Sequence, residues 1–219
     1  MITKSYREKP LHSDIFETLR DRIVHGEYPP GMGLSEKELC GEFNVSRTPL
    51  REALAKLEGM KLVTVIPRFG TNVSPIDINE IRCAFEVKIK LEGLAVELAA
   101  KRIETEELNE LESIIGLVAQ LEENGRQRHH SLIEIEARFH RIILQAAQNS
   151  ILEEFLDNLH YRCARLWSSS LSEIVPNRDI LGQMKMIYTA LKNKDPDAAR
   201  QNMEKHVQYF IEKIKMRLL

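Results

Sequence analysis

The forty residues from Leu34 to Val73 leave this chain the least freedom. Ser35 followed three residues later by Glu38 is a capping box, so a helix starts there and buries Leu39 and Phe43. Gly41 to Val45 reads as a tight turn. Ser46-Arg47-Thr48-Pro49 then opens a second helix, because Ser or Thr caps free N–H groups and proline is tolerated in a first turn. Leu50, Ala53, Leu54 and Leu57 recur at helical spacing and form its apolar face. Arg47 and Arg51, four apart, share a different face, and Gly59 is a natural stop. Leu62–Ile66, the turn Pro67-Arg68-Phe69-Gly70 and Thr71–Val73 complete the stretch as a β-hairpin.

Helix, turn, helix, hairpin in this order is a winged helix-turn-helix, in which the second helix enters the DNA major groove. Helical arginines are most often a solvated face, but here cap, basic face and wing coincide. Ahead of this unit, Ile15, Leu19 and Ile23, widened by Phe16 and Val24, give Leu11–Gly26 an apolar stripe suited to covering its core.

Overall charge does not announce a nucleic-acid binder, since the net value is −2. The first 75 residues carry 11 Lys/Arg against 10 Asp/Glu, the remainder 20 against 23. DNA affinity must therefore come from a local patch, doubled by dimerisation and sensitive to salt. No apolar run approaches the ~20 residues of a membrane span, and MITKSYREKP lacks the apolar core of a secretory signal. Cys40, Cys83 and Cys163 are odd in number and widely spaced, which suits a reducing compartment. A cytoplasmic protein with no membrane partner is expected.

After Ser74-Pro75-Ile76 the pattern changes, so residues 1–75 and 76–219 are expected to be separate domains. Asp77 with Glu80 starts a helix. Helical patterns fill about 77–101, 104–124, 129–148, 151–172, 178–193 and 196–217. They are punctuated at Asn124-Gly125, Gln148-Asn149-Ser150, Val175-Pro176-Asn177 and Lys194-Asp195-Pro196. The fold class is mainly α: an N-terminal winged helix-turn-helix of three helices and a small hairpin wing, then an antiparallel all-α bundle of six or seven helices.

The first unit resembles the DNA-binding domain of the GntR family of bacterial transcription regulators. The resemblance rests on Ile23-Val24-His25-Gly26-Glu27-Tyr28-Pro29-Pro30-Gly31, Leu34-Ser35-Glu36-Lys37-Glu38-Leu39, Val45 through Leu54, and Arg68-Phe69-Gly70-Thr71-Asn72-Val73. It implies that Lys37, Arg47 and Arg51 face DNA, with Ser46 and Thr48 at phosphates or base edges. Gly70 would let the wing approach the minor groove. The second unit resembles the FCD ligand-binding domain of the FadR branch. Its matching text is Glu86–Ala95, Leu98–Arg102, Phe139-His140 with Asn149, Asp195–Ala199 and Met203–His206.

Many FCD domains hold a divalent metal with one aspartate and three histidines, and a small carboxylate effector binds on or beside it. By resemblance the ligands here are Glu136, His140 and His206, with Met184 where a third histidine is expected. Glu136 and His140, four apart, can aim at one ion from one helix face. Imidazole with carboxylate suits Zn²⁺, Ni²⁺ or Mn²⁺, and three ligands plus effector oxygens or water can complete a site. A metal-free pocket is the alternative. Lys88 stands where many members have a ligand-reaching arginine, and Arg162 and Arg165 are further candidates for an anionic effector. The resemblance implies a homodimer reading a palindromic operator in double-stranded DNA, with repression relieved by a small carboxylate. The other readings are a metal-independent sensor of a larger or neutral, acyl-CoA-like ligand and, from another class, a metalloenzyme built on the Glu/His set. No catalytic residues are identified, because no general base accompanies that set.

Overall fold

The computed structural model describes residues 12–121, 126–170 and 177–218. The chain divides into two compact units between Ile76 and Asp77.

In the first unit, α1 (His12–Val24) buries Ile15, Leu19, Ile23 and Val24. Strand β1 (Gly33–Leu34) precedes α2 (Glu36–Phe43), which Ser35 caps through its Oγ at 3.3 Å from the Glu38 N–H. The turn after α2 is shorter than the sequence suggests. Gly41 lies inside the helix, and Asn44 alone, in the left-handed region at φ 53°, ends it. α3 (Arg47–Gly59) buries Leu50, Ala53, Leu54 and Leu57, the expected face. Ser46 occupies its cap position without a side-chain cap bond.

Strands β2 (Val63–Ile66) and β3 (Gly70–Val73) form the hairpin, with Ile66 opposite Gly70 and Val63 opposite Val73. β1 adds a third antiparallel strand through Gly33–Asn72 and Leu34–Thr71, so the sheet order is β1-β3-β2. A two-residue strand has no periodicity to betray it, and the sequence suggested only the hairpin.

The second unit has six helices among the described residues: α4 (Ile78–Arg102), α5 (Thr105–Gln120), α6 (Arg126–Ala146), α7 (Ser150–Ser170), α8 (Asn177–Lys192) and α9 (Pro196–Leu218). Asp77 caps α4 by accepting from the Asn79 and Glu80 N–H groups. The expected breaks at Asn124-Gly125 and Val175-Pro176 lie outside the described residues. α4 and α9 lie close, because a side chain at Gly93 would meet Glu204 at 3.2 Å. The buried core includes Ala95, Val96, Ala99, Phe139, Ile143, Ile187 and Met203. No helix among the described residues is long and apolar enough to cross a membrane.

Candidate functional site

The residues singled out in the sequence fall in two places, one in each unit. In the first, Lys37, Ser46, Arg47, Thr48, Arg51 and Gly70 are all exposed. The apolar stripe of α3 turns inward, which leaves Arg47 and Arg51 in solvent. Arg51 is not loose. Its Nε lies 3.0 Å and its Nη2 3.0 Å from Glu36 Oε2, a fork-to-carboxylate pair that joins α3 to α2. The wing is tied to the same helix by the Val65 N–H, which donates to Glu58 Oε1 at 3.0 Å. Gly70 sits at φ 109°, where a side chain would be strained, and so lets the chain reverse at the wing tip.

In the second unit, α6 carries Glu136 and His140, and α9 carries His206. Their donor atoms converge. Glu136 Oε2 is 3.1 Å from His206 Nε2 and 3.7 Å from His140 Nε2, and the two Nε2 atoms are 3.3 Å apart. The rings stack at 5.3 Å between centroids. His206 is fully buried, although alone it would pass for a packing residue.

Two further residues, not singled out by the sequence, hold the histidines from behind. Glu92 Oε2 lies 3.0 Å from His140 Nδ1, and Gln183 Oε1 lies 2.8 Å from His206 Nδ1. Glu92 is buried and also paired with Lys88. Burial alone would push the Glu92 carboxyl up, but His140 and then Lys88 outweigh it and hold it well below the usual range. Burial likewise opposes the Glu136 carboxylate, and His206, His140 and Lys88 reverse the sign and lower its pKa. When both rings donate Nδ1–H to the acceptors behind them, their Nε2 lone pairs face Glu136 Oε2, and a cation between the three atoms would satisfy them together.

The residues fit a metal. Ligands at about 2.0–2.2 Å in a tetrahedral array stand about 3.3–3.6 Å apart, close to the observed triangle. The other Glu136 oxygen, Oε1, is buried with no hydrogen-bond partner among the described residues. Glu136 and His140 also line a cavity. Phe85, Leu132, Val207 and Phe210 supply apolar wall, and Lys88 supplies a cation. Met184 is fully buried but is not among the lining residues.

Of the other effector candidates, Arg162 pairs with Glu80 at 3.2 Å and Arg165 is buried, and neither is among the residues lining this cavity. His160, on α7, does line it and escaped the sequence reading. It makes an edge contact with Tyr161 and no hydrogen bond among the described residues, and burial pushes its imidazole down to about 3. The buried Cys163 is pushed up to about 12 by burial, so it lines the wall as a neutral thiol.

A winged helix-turn-helix joined to an α-helical bundle with a polar-centred cavity defines a DNA-binding regulator with a sensing domain. Residues 11–73 match the bacterial regulatory proteins of the gntR family, and residues 83–209 match the FCD domain. The chain is 30% identical over 207 residues to the HTH-type transcriptional repressor RspR of Escherichia coli, covering 94% of this chain and 90% of that protein. It is 28% identical over 214 residues to the galactonate operon transcriptional repressor of the same organism, covering 84% and 88%. In fold it is similar to E. coli McbR/YncC, with a TM-score of 0.82, 24% identity, and coverage of 94% of this chain and 98% of that one. The chain belongs to the GntR family, in the branch with a C-terminal FCD domain, and is a ligand-responsive DNA-binding transcriptional regulator rather than an enzyme.

Proposed function

We propose that this regulator is a homodimeric repressor whose bundle binds a divalent metal through Glu136, His140 and His206 and responds to a small carboxylate. The observation that carries the reading is the triangle of three acceptor atoms, 3.1, 3.3 and 3.7 Å on its edges. A bound ion supplies a Lewis-acid centre on which an anionic effector can be seated. Lys88, in the cavity wall and paired with Glu92, places an ammonium group beside the cluster. A cavity wall that combines a carboxylate–imidazole cluster with an ammonium group favours an anionic ligand over a neutral one. A relative named for the galactonate operon is in keeping with a sugar acid or similar carboxylate.

Dimerisation is supported by large apolar side chains left in solvent on two adjacent helices: Val87 and Leu94 on α4, Ile151 and Phe155 on α7. A second copy packed on these two helices would bury all four side chains. Two recognition helices would then read the half-sites of a palindrome, with Lys37, Ser46, Arg47, Thr48, Arg51 and Gly70 at the DNA. Effector and DNA would oppose each other by the same coupling factor.

The test is an anisotropy titration of the full chain on a site isolated from random duplexes. Two chains should bind each site, and Arg47→Ala and Arg51→Ala should each weaken specific binding by about 1–3 kcal/mol. Unchanged affinity, or one chain per site, refutes the DNA half of the proposal.

A further inference from the structure

Two neighbouring residues of α8 face different surroundings. Met184 points its thioether into the core, fully buried. Gln183, one position earlier on α8, reaches His206 Nδ1 at 2.8 Å through its side-chain oxygen. We infer that Gln183 is a positioning residue of the metal site: by accepting from Nδ1 it fixes His206 in the tautomer whose Nε2 lone pair faces the ion. The inference rests on the metal reading proposed above.

The chemistry of the amide makes this a decision rather than a contact. An imidazole carrying its proton on Nδ1 donates to the Gln183 oxygen and leaves Nε2 free to ligate. If the amide instead presented its NH₂ group, Nδ1 would have to accept, and the proton would sit on Nε2. His206 would then donate to Glu136 Oε2, 3.1 Å away, and close the triangle without a metal. His140 faces no such choice, because its Nδ1 meets the carboxylate of Glu92, which only accepts while ionised. One histidine is thus held by a carboxylate and the other by a neutral amide. Groups behind metal-bound histidines tune affinity 10–100-fold, so the weaker of these two supports sets how firmly the three ligands can hold an ion.

The arrangement separates positioning from packing. Gln183→Glu keeps an acceptor opposite Nδ1 and removes the donor that could turn the ring's proton inward. Gln183→Leu keeps the bulk and removes the acceptor. A packing role would favour leucine over a partly buried carboxylate, whereas a positioning role favours glutamate. The experiment is a Co²⁺ titration of the chelator-stripped full chain, read by the visible d–d absorption and competed with Zn²⁺, with circular dichroism confirming the fold of each metal-free variant. The wild type should bind one Co²⁺ per chain, Gln183→Leu should bind at least 10-fold more weakly, and Gln183→Glu should bind at least as tightly as wild type. Equal affinity for Gln183→Leu and wild type, or equal weakening by both variants, overturns the inference while leaving the metal site standing. A wild type that takes up no ion overturns the metal reading and this inference together. If Gln183→Leu does not fold, Gln183→Glu against wild type still decides, since weaker binding in the glutamate variant refutes the assigned role.

Discussion

Lys88 and Glu92 carry opposite charges inside a bundle, and removing both should cost less than the two single losses added together. Their side chains are 7% and 4% exposed. That places the pair with buried ion pairs, whose disruption costs about 3–5 kcal/mol, and not with exposed ones worth under ~1 kcal/mol. Glu92 keeps a second partner in His140 at 3.0 Å when Lys88 is gone. Lys88→Met should therefore cost about 3 kcal/mol, the low end of that range. A domain of this size loses about 2–4 °C per kcal/mol, which puts the expected fall in the melting temperature of the helical unit at about 6–12 °C. Lys88→Met combined with Glu92→Met removes both charges but strips His140 Nδ1 of its acceptor, so it should cost clearly less than the sum of the singles without restoring wild-type stability. The assay is urea unfolding of chelator-stripped protein, followed by circular dichroism, on wild type, both single variants and the double. A single-variant loss under about 1 kcal/mol, or a double variant whose loss equals the sum of the singles, would refute the claim that the two charges depend on each other.

Other outcomes follow from the same cluster. Saturating Zn²⁺, Ni²⁺ or Mn²⁺ at about 100 times its dissociation constant should stabilise the helical unit by about 2.7 kcal/mol, and His206→Ala should abolish the shift; a thermal-shift series that moves equally in both proteins places the ion elsewhere. His160, held down to about 3, binds a proton more readily in the unfolded chain, whose histidines titrate near 6.5. Stability should thus fall by up to about 1.4 kcal/mol per pH unit as pH drops below 6.5 toward 3. His160→Phe should flatten that part of the profile, measured by denaturation at each pH without metal.

The DNA-binding unit was legible because its signals are local. The Ser35 cap, the face of Leu50, Ala53, Leu54 and Leu57, and the Pro67–Gly70 turn each act within a few residues, and the structure realises them nearly where the sequence puts them, although of the Ser35–Glu38 box only the Ser35 half forms. The third strand was invisible because Gly33–Leu34 gains its identity only from pairing with β3. In the bundle, resemblance located Glu136, His140 and His206 but said nothing of what holds them. Glu92 did leave a trace. Lys88, Glu92, Ala95 and Ala99 follow one another at helical spacing on α4, so two charges lie on the stripe that the core claims. Gln183 falls likewise between Ile180 and Ile187 on the buried stripe of α8. A polar residue on an apolar stripe is the signal that could have found both. His160 had no such mark, since its cavity is made by several helices at once.

The strand Gly33–Leu34 has a mechanical consequence. It places β3 in the middle of the sheet, hydrogen-bonded along both edges. The wing is therefore a cantilever clamped at its root and not a free flap. Its angle is inherited from the loop that leads out of α1, where the Gly31 N–H donates to Val73 O at 2.9 Å and the Val73 N–H donates to Met32 O at 2.8 Å. Lengthening or shortening that loop, nowhere near the recognition helix in sequence, would re-aim the wing tip as surely as changing the tip itself.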